Sequence, residues 1–221
     1  MAATTSRGRG PAGDRSFSFT DWLQLNARAV AIGAVAVAAV GAFVFIYQRY
    51  TASTARQAEQ AYFAAQGAPS QNPQDREKAL DAVIGRFDGT PAATQAAMLV
   101  AQQRYDRGAY QEGIGALQRV EGHRASAEFE PALDALIAAG LEGRGDFRGA
   151  AAKYREAAEA ARFDIDRDNY MADAARALRR AGDEAEAVRI WTELAERPAS
   201  PVAAEAQVRL GELSAKPAGR G

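Results

Sequence analysis

Residues 97–120, 134–157 and 171–194 read AMLVAQQRYDRGAYQEGIGALQRV, DALIAAGLEGRGDFRGAAAKYREA and MADAARALRRAGDEAEAVRIWTEL. Laid over one another, the three stretches share a glycine, at Gly108, Gly145 and Gly182, and both intervals are 37 residues. Self-similarity at a fixed period of this size is the mark of a solenoid built from repeated helix–turn–helix units. The glycine suits the end of a first helix, where the chain turns through a left-handed conformation that is cheap only for glycine.

The flanking positions fit antiparallel helix pairs. Ala101, Ala138 and Ala175 lie seven residues before the glycines, and Gly113, Ala150 and Ala187 lie five after. Small residues at both places let the paired helices approach closely. Leu117, Tyr154 and Trp191, nine after the glycines, are the expected fillers between neighbouring units, and Val120, Ala157 and Leu194 close the second helix onto the next unit. The same register explains Arg144-Gly145-Asp146, a tripeptide otherwise familiar as an adhesion signal. Gly145 is the middle repeat glycine, and Asp146 opens a helix whose N-terminal dipole favours a carboxylate.

A second signal lies upstream. From Ala29 to Gln48 the chain carries no charge, and Arg28 and Arg49 close the two ends. About 20 apolar residues suffice to span a hydrocarbon core of about 30 Å. Trp22, Tyr47 and Tyr50 stand where interfacial aromatics belong. A soluble helix rarely stays apolar on all faces for this long. A cleaved signal peptide is the rival reading. The run is longer than the usual apolar region of such a peptide, and only Ser53-Thr54-Ala55 offers a weak cleavage site. Within the span, Gly33, Ala34, Ala38, Gly41 and Ala42 form a small-residue stripe that would permit close helix packing in lipid. Arg9, Arg15 and Arg28 on one side, against Arg49 and Arg56 on the other, lean towards a cytoplasmic N-terminus.

The whole chain then divides as follows. Residues 1–16 are rich in Gly, Pro and Arg and read as a disordered tail. Residues 17–28 form a juxtamembrane segment, 29–48 the transmembrane helix, and 51–214 an α-solenoid. Its repeats fall at about 54–88, 94–127, 131–164 and 168–200, with a capping helix at 202–214 and a tail at 215–221. Leu80, Val83, Ile84 and Phe87 share one helical face, and Pro91 after Gly89-Thr90 suits a first helical position. Abundant alanine and scarce β-branched runs favour helix over strand.

Several functions find no support. The 221 residues balance 27 basic against 28 acidic side chains, a net charge of -1 that gives no reason to expect nucleic acid. No cysteine is present, so neither disulfides nor thiolate metal sites arise. The single histidine, His123, falls in a polar stretch without a nucleophile or orienting group beside it. Asp164 to Asn169, DIDRDN, begins like a calcium loop, but Asn169 stands at the position that needs glycine and Ala175 at the one that needs glutamate. The expectation is an inter-repeat loop in which Asp168 or Asn169 caps the next helix. No phosphate loop, catalytic triad or His-Glu-x-x-His motif occurs, so neither an enzyme nor a cofactor is expected.

The stretch from Arg86 to Leu117, RFDGTPAATQAAMLVAQQRYDRGAYQEGIGAL, and the order of elements from about Phe19 to Leu213, resemble a known family. It is that of membrane-anchored tetratricopeptide-repeat (TPR) proteins exemplified by the YfgM-like ancillary subunit of the SecYEG translocon. The resemblance implies an all-α fold, a single N-terminal transmembrane helix followed by a TPR-like helical-hairpin solenoid. It implies a bacterial inner-membrane protein, crossing once, with its N-terminus cytoplasmic and its repeats periplasmic. The implied partners are translocon components, periplasmic chaperones and nascent secreted chains, besides the bilayer that holds the anchor. An envelope-assembly or cell-division scaffold shares this architecture, and an accessory factor released by signal cleavage is the third reading. By the tetratricopeptide pattern the first helix of each repeat lines a concave surface. That would place Gln95, Met98, Gln102 and Tyr105 there from one unit, and Arg176, Arg179 and Arg180 from another. Arginines on such a face could receive the carboxylates of a peptide, or be paired along their own helix with Asp173 or Glu184.

Overall fold

The computed structural model describes residues 22, 26–67 and 72–214. The expectations for residues 1–16, for most of 17–28 and for 215–221 lie outside them. Among the described residues the chain is helical throughout, with no strand. The helices are α1 Ala27–Gly67, α2 Pro73–Arg86, α3 Pro91–Asp106, α4 Tyr110–Gln118, α5 Glu130–Gly143, α6 Phe147–Ala160, α7 Asp164–Arg180, α8 Glu184–Ala195 and α9 Ala203–Ser214. A single 3-10 turn, Arg124–Ser126, interrupts the connection between α4 and α5. The chain divides into two units, residues 1–51 and 52–221.

In the first unit α1 is apolar on every side. Ile32, Val35, Val37 and Phe43 are all about 70% exposed, and Phe43 and Tyr47 stack one turn apart. The helix is long and apolar enough to cross a membrane. It does not stop at the polar stretch after Gln48, because no glycine or proline occurs between Ala42 and Gln66 to break it.

The second unit is a stack of helical hairpins. α3 packs on α4, α5 on α6 and α7 on α8, while α4 meets α5, α6 meets α7, and α9 closes onto α8. Three hairpins turn in the same way. Gly108, Gly145 and Gly182 have φ of 79°, 82° and 80°. The amides of Ala109, Asp146 and Asp183 then reach back to the carbonyls of Arg104, Leu141 and Leu178 at 2.8, 2.9 and 2.9 Å. The glycine amides bond to Tyr105, Glu142 and Arg179, which completes a Schellman motif at each helix end. On the far side of the middle turn, the Asp146 carboxylate accepts from the Gly149 amide at 3.0 Å and caps α6.

Alanine makes the close approach possible. Ala101, Ala138, Ala175, Ala150 and Ala187 are fully buried, and Gly113 is buried beside them. Larger side chains fill two apolar clusters. One holds Leu80, Ile84, Val100, Leu117 and Val120, and takes in Ala58 and Ala65 of α1. The other holds Tyr154, Leu178, Ile190, Trp191 and Leu194. Two helix starts have local causes: Asn72 accepts from the Gln74 amide ahead of Pro73, and Thr90 accepts from the Ala93 amide ahead of Pro91.

One expectation is corrected. DIDRDN is not an inter-repeat loop capped by Asp168 or Asn169, because α7 already begins at Asp164. Asp164 and Asp166 sit in its first turn, where the helix dipole favours them. Asp168 is buried one turn further in and accepts from Arg197 Nη1 at 2.6 Å.

Candidate functional site

The side chains expected on a concave surface separate into two groups. From α3, Gln95 is half-buried and Gln102 exposed, while Met98 packs against the first apolar cluster. Tyr105 is a packing residue. Its ring stands against Gly113 of α4 and Gly140 of α5, where any Cβ would overlap it. Its hydroxyl donates to the Leu136 carbonyl at 3.1 Å. Burial pushes the phenol up to about 12. Tyr110 follows it at 5.8 Å between ring centres and occupies the space over Gly143. Gly140 and Gly143 were not singled out from sequence, although glycine inside a helix costs stability and so signals a close approach.

From α7, the three arginines are engaged by carboxylates of the domain itself. Arg176 grips Glu205 through Nε at 3.0 Å and Nη2 at 2.6 Å, and turns Nη1 to Asp173. Arg179 reaches Glu212 at 3.1 Å. Arg180 lies 3.6 Å from Glu142 and 4.1 Å above the ring of Phe147. Glu205 and Glu212 both belong to α9, so Arg176 and Arg179 tie α7 to the last helix. A ligand carboxylate at either arginine would compete with a partner already in place.

The surrounding titrations follow from burial and charge. Burial holds Glu142 and Asp173 above the usual carboxylate range, against the pull of nearby Arg180 and Arg176. The hydrogen bond from Arg176 draws Glu205 below it. Burial raises the Tyr154 phenol, and Glu142 and Asp173 add to the effect. A separate cluster gathers around Lys153, whose ammonium bonds to Glu121, Asp134 and Glu156 at 2.6, 3.1 and 2.7 Å. Burial opposes that charge, but the three carboxylates outweigh it and leave the lysine pKa raised. Asp134 is raised by its own burial despite the lysine.

The remaining singled-out residues have plain positions. His123 Nδ1 lies 3.3 Å from Asp88 Oδ1, without hydrogen-bond geometry. Among the described residues, no atom packs beside Gly33 or Gly41 where a Cβ would stand. Among the described residues, no three His, Asp or Glu side chains are placed to hold a metal ion.

Antiparallel helix pairs joined through left-handed glycines and stacked on an alanine-lined core define an α-helical repeat protein. The sequence model of a family described as a tetratricopeptide repeat-like domain matches residues 20–215. The chain belongs to that family, and protein–protein interaction is the function such domains serve. A search of curated proteins finds no match to the chain.

Proposed function

We propose that the chain is a membrane-tethered scaffold whose tetratricopeptide-type domain binds polypeptide partners. One observation carries this reading: a helix long and apolar enough to cross a membrane belongs to the same chain as a helical-repeat domain. Tethering confines the repeats to a membrane surface and raises their effective concentration beside a membrane-embedded partner. The slight excess of arginine ahead of the span supports a cytoplasmic N-terminus and repeats in the periplasm of a bacterial inner membrane. The resemblance of the Arg86–Leu117 stretch supports a place beside the secretion translocon, with periplasmic chaperones and nascent chains as partners.

Two measurements test the reading. A reporter active only in the periplasm, fused after Ala65, is expected to be active, and an inactive fusion overturns the topology. Crosslinking in intact membranes followed by mass spectrometry is expected to recover translocon components with a chain that keeps its N-terminus. Recovery of envelope-assembly or division proteins instead would overturn the translocon assignment and leave the scaffold.

A further inference from the structure

A groove of about 310 Å3 opens where α5 begins and where α6 hands over to α7. Pro131, Ala132, Ala161, Phe163, Asp166 and Tyr170 line it. Its place in the repeat sets it apart. Eighteen residues after the three repeat glycines come Ser126, Phe163 and Ser200, and fourteen residues before them come Thr94, Pro131 and Asp168. Ser126 and Ser200 are buried, while Phe163 is 68% exposed. In the first of these units the Thr94 and Ser126 hydroxyls share a hydrogen bond at 2.8 Å, and Ser126 also donates to the Val120 carbonyl. In the third, Asp168 takes its bond from Arg197. Pro131 and Phe163 can make neither latch, and the groove lies where the latch is missing.

Phe163 is a poor capping residue for its place in the fold. It occupies the N-cap of α7, with φ −117° and ψ 141°, and supplies no side-chain bond to the first turn. Serine or aspartate there would satisfy an orphan amide. Ile165, two residues on, is 60% exposed. Local choices that go against the fold are expected where a surface serves something else.

Charge identifies what that something is. Among the described residues Glu128 and Asp166, which line the groove, make no salt bridge, and neither does Glu130 beside them. Arg162 is the one cation among the described residues that line the groove, and it too makes no salt bridge. A trough of mixed lining, in which Glu128 and Asp166 outnumber Arg162, favours a cationic partner over an anionic lipid surface. We propose that this groove takes an apolar side chain from a polypeptide segment that carries lysine or arginine beside it. The inference rests on the scaffold reading and deepens it by naming the chemistry of a partner.

The full chain in a neutral detergent, titrated into a labelled synthetic peptide of alternating lysine and leucine, tests this by fluorescence anisotropy. The wild-type chain is expected to bind. Exchanging the peptide's lysines for glutamate, or its leucines for serine, is expected to weaken binding about tenfold or more. Phe163→Ser is expected to weaken it about as much, with the melting temperature unchanged or raised, since serine is a good cap. Asp166→Asn is expected to weaken binding at low ionic strength, by an amount that shrinks as salt is added. Unchanged affinity in Phe163→Ser overturns the proposal, as does a fall in its melting temperature without a loss of binding. Self-association of the chain that Phe163→Ser abolishes would make a second copy the occupant and overturn it too. Topology and crosslinking read location separately, so a negative peptide result with an active periplasmic reporter removes this groove and leaves the tethered scaffold standing.

Discussion

Gly140→Ala is expected to destabilise the repeat domain, against the usual benefit of alanine in a helix. Exchanging an interior helical glycine for alanine ordinarily stabilises by about 0.8–1 kcal/mol. At Gly140 the new Cβ would fall against the Tyr105 hydroxyl and 2.7 Å from both Tyr105 Cζ and Ile114 Cγ1. The Ile114 side chain is buried and cannot swing into solvent. Overpacking of this kind costs about 1–3 kcal/mol. If Tyr105 yields, its bond to the Leu136 carbonyl is lost at a further cost of about 1 kcal/mol. The overlap wins, leaving a net loss of about 1–3 kcal/mol and a melting temperature lower by roughly 3–10 °C. Circular dichroism during heating and urea denaturation of the full chain in detergent measures both. Gly115→Ala is the control, because no atom lies within 4 Å of its Cβ position, and it is expected to stabilise. In a Tyr105→Ala background the obstruction is gone, and Gly140→Ala is expected to become neutral or stabilising. A neutral or stabilising Gly140→Ala in the wild-type background refutes the wedge.

Three further perturbations follow from the same geometry. Hydrogen bonds from Arg107 and Arg104 hold Glu77 at about 2, below its ordinary 4.5, so its ionised form contributes stability above that ordinary value. That contribution is lost as pH falls through the folded value. The gap in melting temperature between wild type and Glu77→Gln is therefore expected to be full at neutral pH and to close between 4.5 and about 2. Asp146→Ala removes the cap on the Gly149 amide and is expected to cost about 1 kcal/mol by urea titration, whereas Asp146→Asn keeps a capping oxygen and costs a few tenths at about the same scale. Neither exchange changes cell adhesion, and a loss of adhesion in Asp146→Asn would restore the tripeptide as a signal. Trp191→Ala is expected to cost about 3–5 kcal/mol, because the indole is fully buried. Trp191→Phe should cost much less, since the indole N–H, which has no partner, leaves with the exchange.

The fold class was legible because its determinants are local and periodic. A glycine every 37 residues, with small residues at fixed offsets, needs no knowledge of distant contacts. The apolar run of α1 is equally local. Pairing across the fold was less accessible. The arginines of α7 find Glu205 and Glu212 some thirty residues downstream, whereas sequence neighbours suggested Asp173 or Glu184. Asp173 does engage Arg176, as helical spacing allows. Tyr105 lies on a helix whose pattern marks a face without saying that a ring will wedge between two neighbours. The start of α7 was misplaced for a physical reason. Its N-cap is Phe163, which carries no capping signature, whereas Asp168 and Asn169 further in are residue types that cap well.

Alanine at the helix contacts has an energetic consequence. It permits close packing but buries little apolar surface per residue, so cohesion between successive hairpins draws on other contacts. Long cationic side chains supply many of them. Arg104 joins α3 to Glu77 and Asp81 of α2, Lys153 joins α6 to Glu121 after α4 as well as to Asp134 within its own hairpin, and Arg155 joins α6 to Glu186 of α8. Two of these carboxylates are largely shielded: Glu77 is 13% exposed and Asp134 is 8% exposed. Removing one partner of such a pair leaves a poorly solvated charge, which costs more than an exposed surface pair returns. The unpaired acids around Phe163 are exposed instead, and water solvates them at no comparable cost. They can wait for a cation from outside, whereas the charges between hairpins are already committed to holding the stack together.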